Sequence, residues 1–360
     1  MLDGAEKVRR ISRAGFLILA LGLVVVALAF GPARAAEVLF PQPAALKPNV
    51  QFWVNVFTEY SYRDFIIHDR TDVSRVYEVL HLPGSGVPSR SEVEWTNAYL
   101  KAKYTDILTR LGEGKPPADY EERAVAAMFH GQPPSAYADA VRNLRVQQGL
   151  RERFREGLLR SRYYRPTMER IFRATGIPVE LVSLAEIESG FFPAARSGAG
   201  AVGIWQFTRA TGRQYMRITR YHDDRLNPVR ETEAAAQLLR RNYEVLGSWP
   251  LAITAYDYGT GGMARAADAY AHDYAEIFKN YDGPRFGFAA KNYYSEFLAA
   301  LQVHEHEDKY FPGIDYDYAP PPVTPSTEIR RVSYVRHRVR HHHRWPMHHR
   351  HHRRKHLASR

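Results

Sequence analysis

The chain has 360 residues, 45% of them hydrophobic and 25% charged, so it can bury a large core, and it contains no cysteine, which excludes disulfides. Its formal net charge of +11 comes from one end, because eleven of the 50 basic residues and no acidic residue lie between Arg330 and Arg360. Residues 1–329 carry 39 basic and 39 acidic side chains, a balance that argues against a groove for nucleic acid.

Residues 1–36 have the three-part layout of an export signal. Four basic residues between Lys7 and Arg13 precede an apolar run from Gly15 to Phe30, and Ala33-Arg34-Ala35 fits the small-residue cleavage pattern. We therefore predict a cleaved signal peptide and a location in the periplasm or cell envelope. The alternative is an uncleaved anchor that associates the protein with the membrane, because the apolar run approaches the length that spans a bilayer.

Residues 37–175 are predicted to form a mixed, mostly helical companion region. Its first part, residues 37–50, contains three prolines and is expected to be extended rather than helical. Aromatic and β-branched residues then predict two short strands or a hairpin over Phe65–His68 and Arg75–Leu80. Apolar residues at helical spacing predict helices over Ser91–Leu111, Ala136–Leu159 and Pro166–Thr175.

The second half of the chain changes in character twice. Short helical segments between glycine-rich and polar loops predict an α-rich domain over residues 176–310. Prolines mark residues 311–329 as a stiff linker, and residues 330–360 are biased to Arg and His and are predicted to be disordered. Such a polycation is expected to bind anionic polymers, and its histidine runs leave metal binding as an alternative.

The clearest candidate site residue lies in a predicted helix from Pro178 to Gly190. At 100° per residue, Leu184, Ala185 and Glu188 share one face, so the carboxylate of Glu188 continues an apolar stripe. Burial there would favour the protonated carboxyl, which could deliver a proton to a leaving oxygen. Glu186 lies off this stripe and is expected to face solvent or form an ion pair.

Two glycine-rich loops follow the predicted helix. The first, Gly198 to Gln206, ends on a tryptophan and a glutamine, and Trp205 is expected to offer a flat apolar surface while Gln206 hydrogen bonds to a sugar. The second, Tyr256 to Gly262, closes another helix. The structural alternative is that the glycines cap helices and the aromatic residues belong to the core.

Four motifs between Glu188 and Ala299 resemble, in their sequence and in their order along the chain, those of soluble-lytic-transglycosylase domains. Within that family the chain is most similar to the membrane-bound lytic murein transglycosylase D type. The resemblance extends upstream to Ile67-His68-Asp69-Arg70 and to Val146–Arg151, and so covers roughly residues 50–303. The four motifs are Glu188-Ser189, Gly203-Ile204-Trp205-Gln206, Ala255-Tyr256-Asp257 with Gly259, and Asn292-Tyr293 before Leu298-Ala299.

The resemblance implies a mainly α, goose-lysozyme-like catalytic domain whose cleft binds peptidoglycan glycan strands. It implies cleavage of the β-1,4 bond between N-acetylmuramic acid and N-acetylglucosamine, with 1,6-anhydro ends as the product. It makes Glu188 the catalyst and gives supporting roles to Ser189, Gln206, Tyr256 and Tyr293. A shift of one position would exchange Tyr293 for Tyr294.

The sequence departs from the family pattern in two places. Asp257 stands where the family has asparagine, and no lysin-type glycan-binding repeat follows the predicted catalytic domain. The aspartate leaves two alternatives open, a muramidase-type hydrolase and a peptidoglycan-binding or scaffolding protein with weakened catalysis. No cofactor and no metal ion are expected, because the acidic and histidine residues before the tail lack a metal-ligand spacing.

Overall fold

A computed structural model describes residues 39–316, so the predicted export signal and the Arg/His-rich tail lie outside the described residues. The prediction of a mainly α fold is confirmed, because helices dominate this part of the chain. The α-helices are α1 (Lys47–Thr58), α2 (Arg90–Gly112), α3 (Tyr120–Ala127), α4 (Ser135–Asn143), α5 (Arg151–Thr175), α6 (Leu184–Ser189), α7 (Arg209–Gly212), α8 (Pro228–Leu246), α9 (Trp249–Tyr258), α10 (Thr260–Ala269), α11 (Tyr274–Asn280), α12 (Phe288–Glu305) and α13 (Glu307–Tyr310). None of the helices between residues 39 and 316 is long and apolar enough to cross a membrane.

Three antiparallel strands form one small sheet in the order β2-β1-β3. The predicted hairpin is present as β1 (Asp64–Asp69) and β2 (Val76–His81). The third strand, β3 (Leu144–Gln148), corrects the predicted helix over Ala136–Leu159, which is interrupted at this point. These residues pair with the free edge of β1, a partner so far away in sequence that helical periodicity cannot reveal it.

The expectation of an extended lead-in over residues 37–50 is wrong from Ala44 onward. A 3-10 helix over Ala44–Leu46 leads directly into α1, whose first turn contains Pro48. Proline is tolerated there because the first amides of a helix have no partner within the helix. Trp53 and Phe57 on α1 are buried, and α1 packs against α12 near the other end of the described chain.

Helix α5 joins two segments that were predicted as separate helices. It runs through Pro166 without a break and ends at Gly176, which has the left-handed φ of 75° that glycine tolerates best. Its buried side chains include Phe154 and Phe172. The helix therefore carries the chain from the small sheet into the region that was predicted to be catalytic.

The described chain has two hydrophobic cores. The main core contains side chains from Phe40 to Phe311, including residues of α1, α5, α6, α9 and α12. The second core lies between the sheet and α2, α3 and α4, around Phe65 and Tyr104. The boundary predicted between residues 175 and 176 stays a prediction, and the main core draws side chains from both sides of it.

Residues 62–148 contribute all the buried side chains of the second core and two of the main core, Ile66 and Val73, and the chain enters and leaves this segment at nearly the same point. Leu150 N–H donates to Val56 O at 2.8 Å, and Arg151 N–H donates to Tyr60 O at 3.0 Å. A Cβ added to Gly149 would overlap the carbonyl of Ser61, so the two ends of this excursion lie against each other.

Candidate active site

Glu188 lies on a short buried helix whose apolar side chains belong to the main core. The predicted single helix from Pro178 to Gly190 is instead a 3-10 helix, Val179–Ser183, followed by α6. Every residue of α6 is buried, and Glu188 is 8% exposed. Gly190 ends the helix with a left-handed φ of 60°, which turns the chain directly after the acid.

The hydroxyl of Tyr293 donates a hydrogen bond to Glu188 Oε1 at 2.6 Å. Burial, followed by the negative charge of Glu188, raises the pKa of Tyr293 well above its usual value, so the phenol remains a donor. Tyr294 points elsewhere, since its hydroxyl donates to Pro41 O at 2.9 Å. Of the two adjacent tyrosines, the geometry places Tyr293 at the acid.

Tyr256 forms the next layer of the site. Its ring lies nearly parallel to that of Tyr293, with centroids 6.4 Å apart, and its hydroxyl donates to Trp205 O at 2.9 Å. Burial and then the charges of Glu188 and Glu231 raise its pKa well above the usual value. Asp257 is half-buried beside this layer, and its charge also contributes to the raised pKa of Tyr293.

Gln206 lies in a tight turn whose backbone is held from several sides. Its φ is 51°, and its Nε2 donates to Gly203 O at 2.7 Å and to Ala195 O at 3.3 Å. Ser189 Oγ donates to Ile204 O at 2.8 Å and accepts from Phe192 N at 3.0 Å. Ser189 therefore fastens the end of α6 to the Gln206 turn, and its contacts are structural.

Trp205 does not offer a sugar platform, so that expectation is wrong. The side chain is fully buried, its Nε1 donates to Thr232 Oγ1 at 3.0 Å, and its ring stacks on Phe172 at 5.4 Å. The core alternative stated for this residue is the correct one. A tryptophan beside glycines is compatible with both roles, and only packing distinguishes them.

Glu231 is a residue that the sequence reasoning missed. It is 1% exposed, and its carboxylate accepts from Ile204 N at 2.7 Å and from Trp205 N at 3.0 Å. Burial raises the pKa of Glu231 well above the usual value, although the hydrogen bonds from these backbone amides act to lower it. An acid in the first turn of a helix is ordinarily explained by a favourable interaction with the helix dipole. The partners of Glu231 lie 26 and 27 residues upstream, so the local sequence does not reveal them.

Glu186 is also buried, which corrects the expectation that it faces solvent. It is 3% exposed, and its Oε2 lies 3.5 Å from His304 Nε2. The ion-paired alternative agrees with this position. The two acids of α6 therefore point to different surroundings, Glu188 to the tyrosines and Glu186 to a histidine.

The arrangement brings Glu188, Ser189, Gln206, Tyr256 and Tyr293 together around one turn. Its chemistry is that of the Glu188 carboxyl group, which is buried and has one oxygen oriented by a phenol, an arrangement suited to give and take a proton at a bound substrate. Within the described range, no group of three or more histidine, aspartate or glutamate side chains is placed to hold a metal ion.

Part of this site lies in a segment that is similar to known proteins. The model of the transglycosylase SLT domain family matches residues 172–278, which contain Glu188 and the Gln206 turn but not Tyr293. Membrane-bound lytic murein transglycosylase D of Escherichia coli strain K12 is 42% identical over 92 residues, or 25% of this chain and 20% of the relative. The protein of the same name from Escherichia coli O6:H1 strain CFT073 gives the same values.

A third relative is the putative tributyltin chloride resistance protein of Alteromonas sp. strain M-1. It is 33% identical over 94 residues, or 25% of this chain and 44% of that protein. The chain thus spans about a fifth of the length of the first two relatives. Residues 172–278, which include the acid on α6 and the turn that follows it, are therefore similar to the transglycosylase SLT domain family.

Proposed function

We propose that this protein is a peptidoglycan lytic transglycosylase. It cleaves the β-1,4 bond between N-acetylmuramic acid and N-acetylglucosamine and leaves 1,6-anhydro-N-acetylmuramic acid ends. The observation that carries the proposal is the 2.6 Å hydrogen bond from Tyr293 to the buried Glu188, beside the main core, which contains many side chains of the SLT segment. One oriented carboxyl group is what a reaction with an acid step and then a base step requires.

In the first step Glu188, as a carboxylic acid, protonates the glycosidic oxygen. The bond from that oxygen to C1 of N-acetylmuramic acid breaks, N-acetylglucosamine leaves as the alcohol, and the acetamido group stabilises the cation at C1. The bond from Tyr293 fixes one carboxyl oxygen, so the proton is presented from a defined direction.

In the second step Glu188, now a carboxylate, takes the proton of the C6 hydroxyl of the same sugar. The C6 oxygen attacks C1, the 1,6-anhydro ring closes, and Glu188 is again protonated. No water is consumed. The high pKa of Tyr293 keeps the phenol as a donor through both steps, which stabilises the carboxylate form between them.

A muramidase-type hydrolysis is the second candidate, and Asp257 favours it. The negative charge of Asp257 acts on Tyr293, the residue that donates to Glu188. At position 257 the family pattern has asparagine, whose side chain is an uncharged amide. A carboxylate there could orient a water for attack at C1, as the base of an inverting glycosidase does. The products differ, since hydrolysis gives reducing ends and the transglycosylase reaction gives anhydro ends.

The test is mass spectrometry of purified peptidoglycan digested by the protein beside Glu188→Gln. Anhydro-muropeptides from the parent alone would support both the reaction and its catalyst. Reducing ends would replace the first candidate by the hydrolase. If the parent also releases nothing but sediments with the wall, the protein is a peptidoglycan-binding or scaffolding protein.

The name of the murein relative supports a location in the cell envelope for this chain as well. The binding of anionic envelope polymers or metal ions by residues 330–360 lies outside the described residues and stays a prediction. Sedimentation with purified wall at low and high salt, with and without those residues, would test the electrostatic part. Tail-dependent binding should weaken as salt rises.

A further inference from the structure

The back of α6 carries a second acid with a partner of its own. Glu186 Oε2 and His304 Nε2 lie 3.5 Å apart, and both side chains are 1% exposed. Neither of these two atoms has a hydrogen-bond partner among the described residues. The buried carboxylate oxygen and the buried imidazole nitrogen thus face each other, and separating them would leave both polar atoms buried without a partner, which would lower the stability of the fold.

The surroundings of this pair leave it little freedom. A Cβ on Gly157 of α5 would overlap the carboxylate of Glu186, so the acid packs directly on the α5 backbone. The rings of Phe154 and Phe191 lie 5.9 and 6.2 Å from the His304 ring. Apolar groups therefore enclose the pair and strengthen its electrostatic attraction.

The pair continues to the protein surface. His304 Nδ1 lies 3.3 Å from Glu307 Oε1, and Glu307 Oε2 accepts from Arg162 at 3.0 Å. His304, Glu307 and Arg162 border a surface cavity of about 680 Å³. Charges of alternating sign thus run from Glu186 to solvent when His304 is protonated.

Both acids of α6 meet the same partner helix. Tyr293 and His304 are eleven residues apart on α12, which is about three turns and about 16 Å, so they lie on one face of that helix. Residues two apart on α6 point about 200° away from each other. Helix α12 therefore contacts α6 through Glu188 on one side and through Glu186 on the other.

We propose that Glu186, His304 and Glu307 are positioning residues that hold α6 against α12 and thereby set the place of the Glu188 carboxyl group. The inference rests on the proposed function in that Glu188 is the acid of the reaction. None of the three residues touches the substrate in this scheme. Their effect is to keep the Glu188–Tyr293 contact in one geometry.

A double-mutant cycle tests whether Glu186 and His304 act as one unit. Glu186→Gln and His304→Gln should each lower kcat on solubilised glycan strands about tenfold, with KM changed less than about twofold, because the acid is misplaced while the cleft is intact. The double variant should also lose about tenfold rather than about a hundredfold. Additive losses, or single variants with parental kcat, would overturn the proposal.

Glu169→Gln is the matched control. Glu169 borders the same cavity as His304 but pairs with Arg165 and Arg173 of its own helix. The kcat of the Glu169→Gln variant should therefore equal that of the parent. If Glu186→Gln fails to fold, Glu307→Gln breaks the same series at its outer end, and a smaller loss of kcat with unchanged KM is expected there.

Amide hydrogen exchange in a Glu188→Gln background separates this inference from the proposed function. Adding Glu186→Gln or His304→Gln should speed exchange at residues 189–191 about tenfold, and exchange in α8 should stay unchanged. This result does not depend on glycan cleavage, so an inactive parent would refute the proposed reaction alone. Parental exchange rates in both variants would refute the positioning role.

Discussion

Glu188 and Tyr293 are 105 positions apart in sequence and meet at 2.6 Å because α6 and α12 pack across the main core. A phenol that donates to a carboxylate lowers the cost of keeping that charge out of water. Because the Tyr293 hydroxyl holds Oε1 of Glu188, the same hydrogen bond also fixes the orientation of the rest of the carboxyl group. The residue next along α12, Tyr294, has an unrelated partner at Pro41.

Replacing Tyr293 by Phe should lower kcat/KM on glycan strands by about 10- to 100-fold. The change removes one hydrogen bond to a charged group, which contributes about 1.5–3 kcal/mol, and leaves the ring stacked on Tyr256. Steady-state kinetics on solubilised glycan strands would measure the loss, with the unfolding curve showing that the fold is retained.

Tyr294→Phe provides the matched control for that experiment. It removes a hydroxyl from the neighbouring ring and should leave kcat/KM at the parental value, at a cost of about 1 kcal/mol in the free energy of unfolding. A larger activity loss in Tyr294→Phe than in Tyr293→Phe would show that the assignment of the two tyrosines is reversed.

The sequence was informative about single residues wherever their chemistry followed from local pattern or motif. Glu188 could be singled out because it continues an apolar helical stripe and also begins the first of the four ordered motifs that resemble the family. Trp205 and Glu231 were misread or missed because their roles depend on partners in distant elements. The choice between Tyr293 and Tyr294 likewise needed the packing of α12, since a shift of one position turns a side chain by about 100°.

At the scale of elements, the Gln206 turn depends on a close approach of backbone at Gly203. This residue has φ 90°, and a Cβ there would overlap Arg225 O and the carboxylate of Glu231. Gly203→Ala should therefore lower the free energy of unfolding by more than about 3 kcal/mol, through backbone strain and overlap together. Chemical denaturation would measure it.

Gly200→Ala separates the two causes. Gly200 has a similar φ of 84°, but a Cβ there would have nothing within 4 Å. This variant should lose only about 1 kcal/mol, the cost of the positive φ alone. Equal losses in both variants would mean that the close approach at Gly203 contributes nothing.

The junction of α12 and α13 should make the stability depend on pH through Glu307. Burial opposes its ionisation, but hydrogen bonds from His304 and Tyr316 and the charges of His304 and Arg162 outweigh it and lower its pKa to about 2. Because the folded-state pKa is below the ordinary value near 4.5, this contribution is present above pH 4.5 and disappears as the pH falls towards 2.

Glu307→Gln should accordingly be less stable than the parent by about 1–2 kcal/mol at pH 6, after allowance for solvent screening, and the difference should vanish near pH 2. Unfolding curves of the two proteins between pH 2 and 6 would measure the trend. A difference that stays constant with pH would show that the lost interaction does not involve the ionised carboxylate.

Local sequence signals predicted the elements that are stabilised locally. Helix α2 was expected over Ser91–Leu111 and occupies Arg90–Gly112, where Ser89 and Glu92 form a capping box at its start. Strand β3 was missed because it exists only by pairing with β1. Helix α1 was missed because Pro41 and Pro43 before it and Pro48 within it suggested an extended chain, although Pro48 lies in the one turn that accepts it.

At the scale of the whole molecule, the SLT segment does not contain its own complete core. The family match begins at residue 172, near the end of α5, whereas Phe40, Trp53 and Phe154 lie in the same core as Glu188-bearing α6. Asn292 of α12 accepts from Asn49 at 2.7 Å and from Trp53 at 3.3 Å. The segments before residue 172 are thus part of the body that supports the site.

Two deletions should therefore behave in opposite ways. A fragment of residues 176–316 loses α1 and α5, and it should lack a cooperative unfolding transition because a large share of its core faces water.

A chain of residues 39–316 in which a short glycine linker replaces residues 62–148 should still unfold cooperatively, at lower stability. Its two ends already lie together at Ser61 and Gly149, and the deletion removes the whole second core but only Ile66 and Val73 from the buried side chains of the main core. Circular dichroism during thermal unfolding distinguishes the cases, and a cooperative transition in the 176–316 fragment would show that these residues fold without the segments before them.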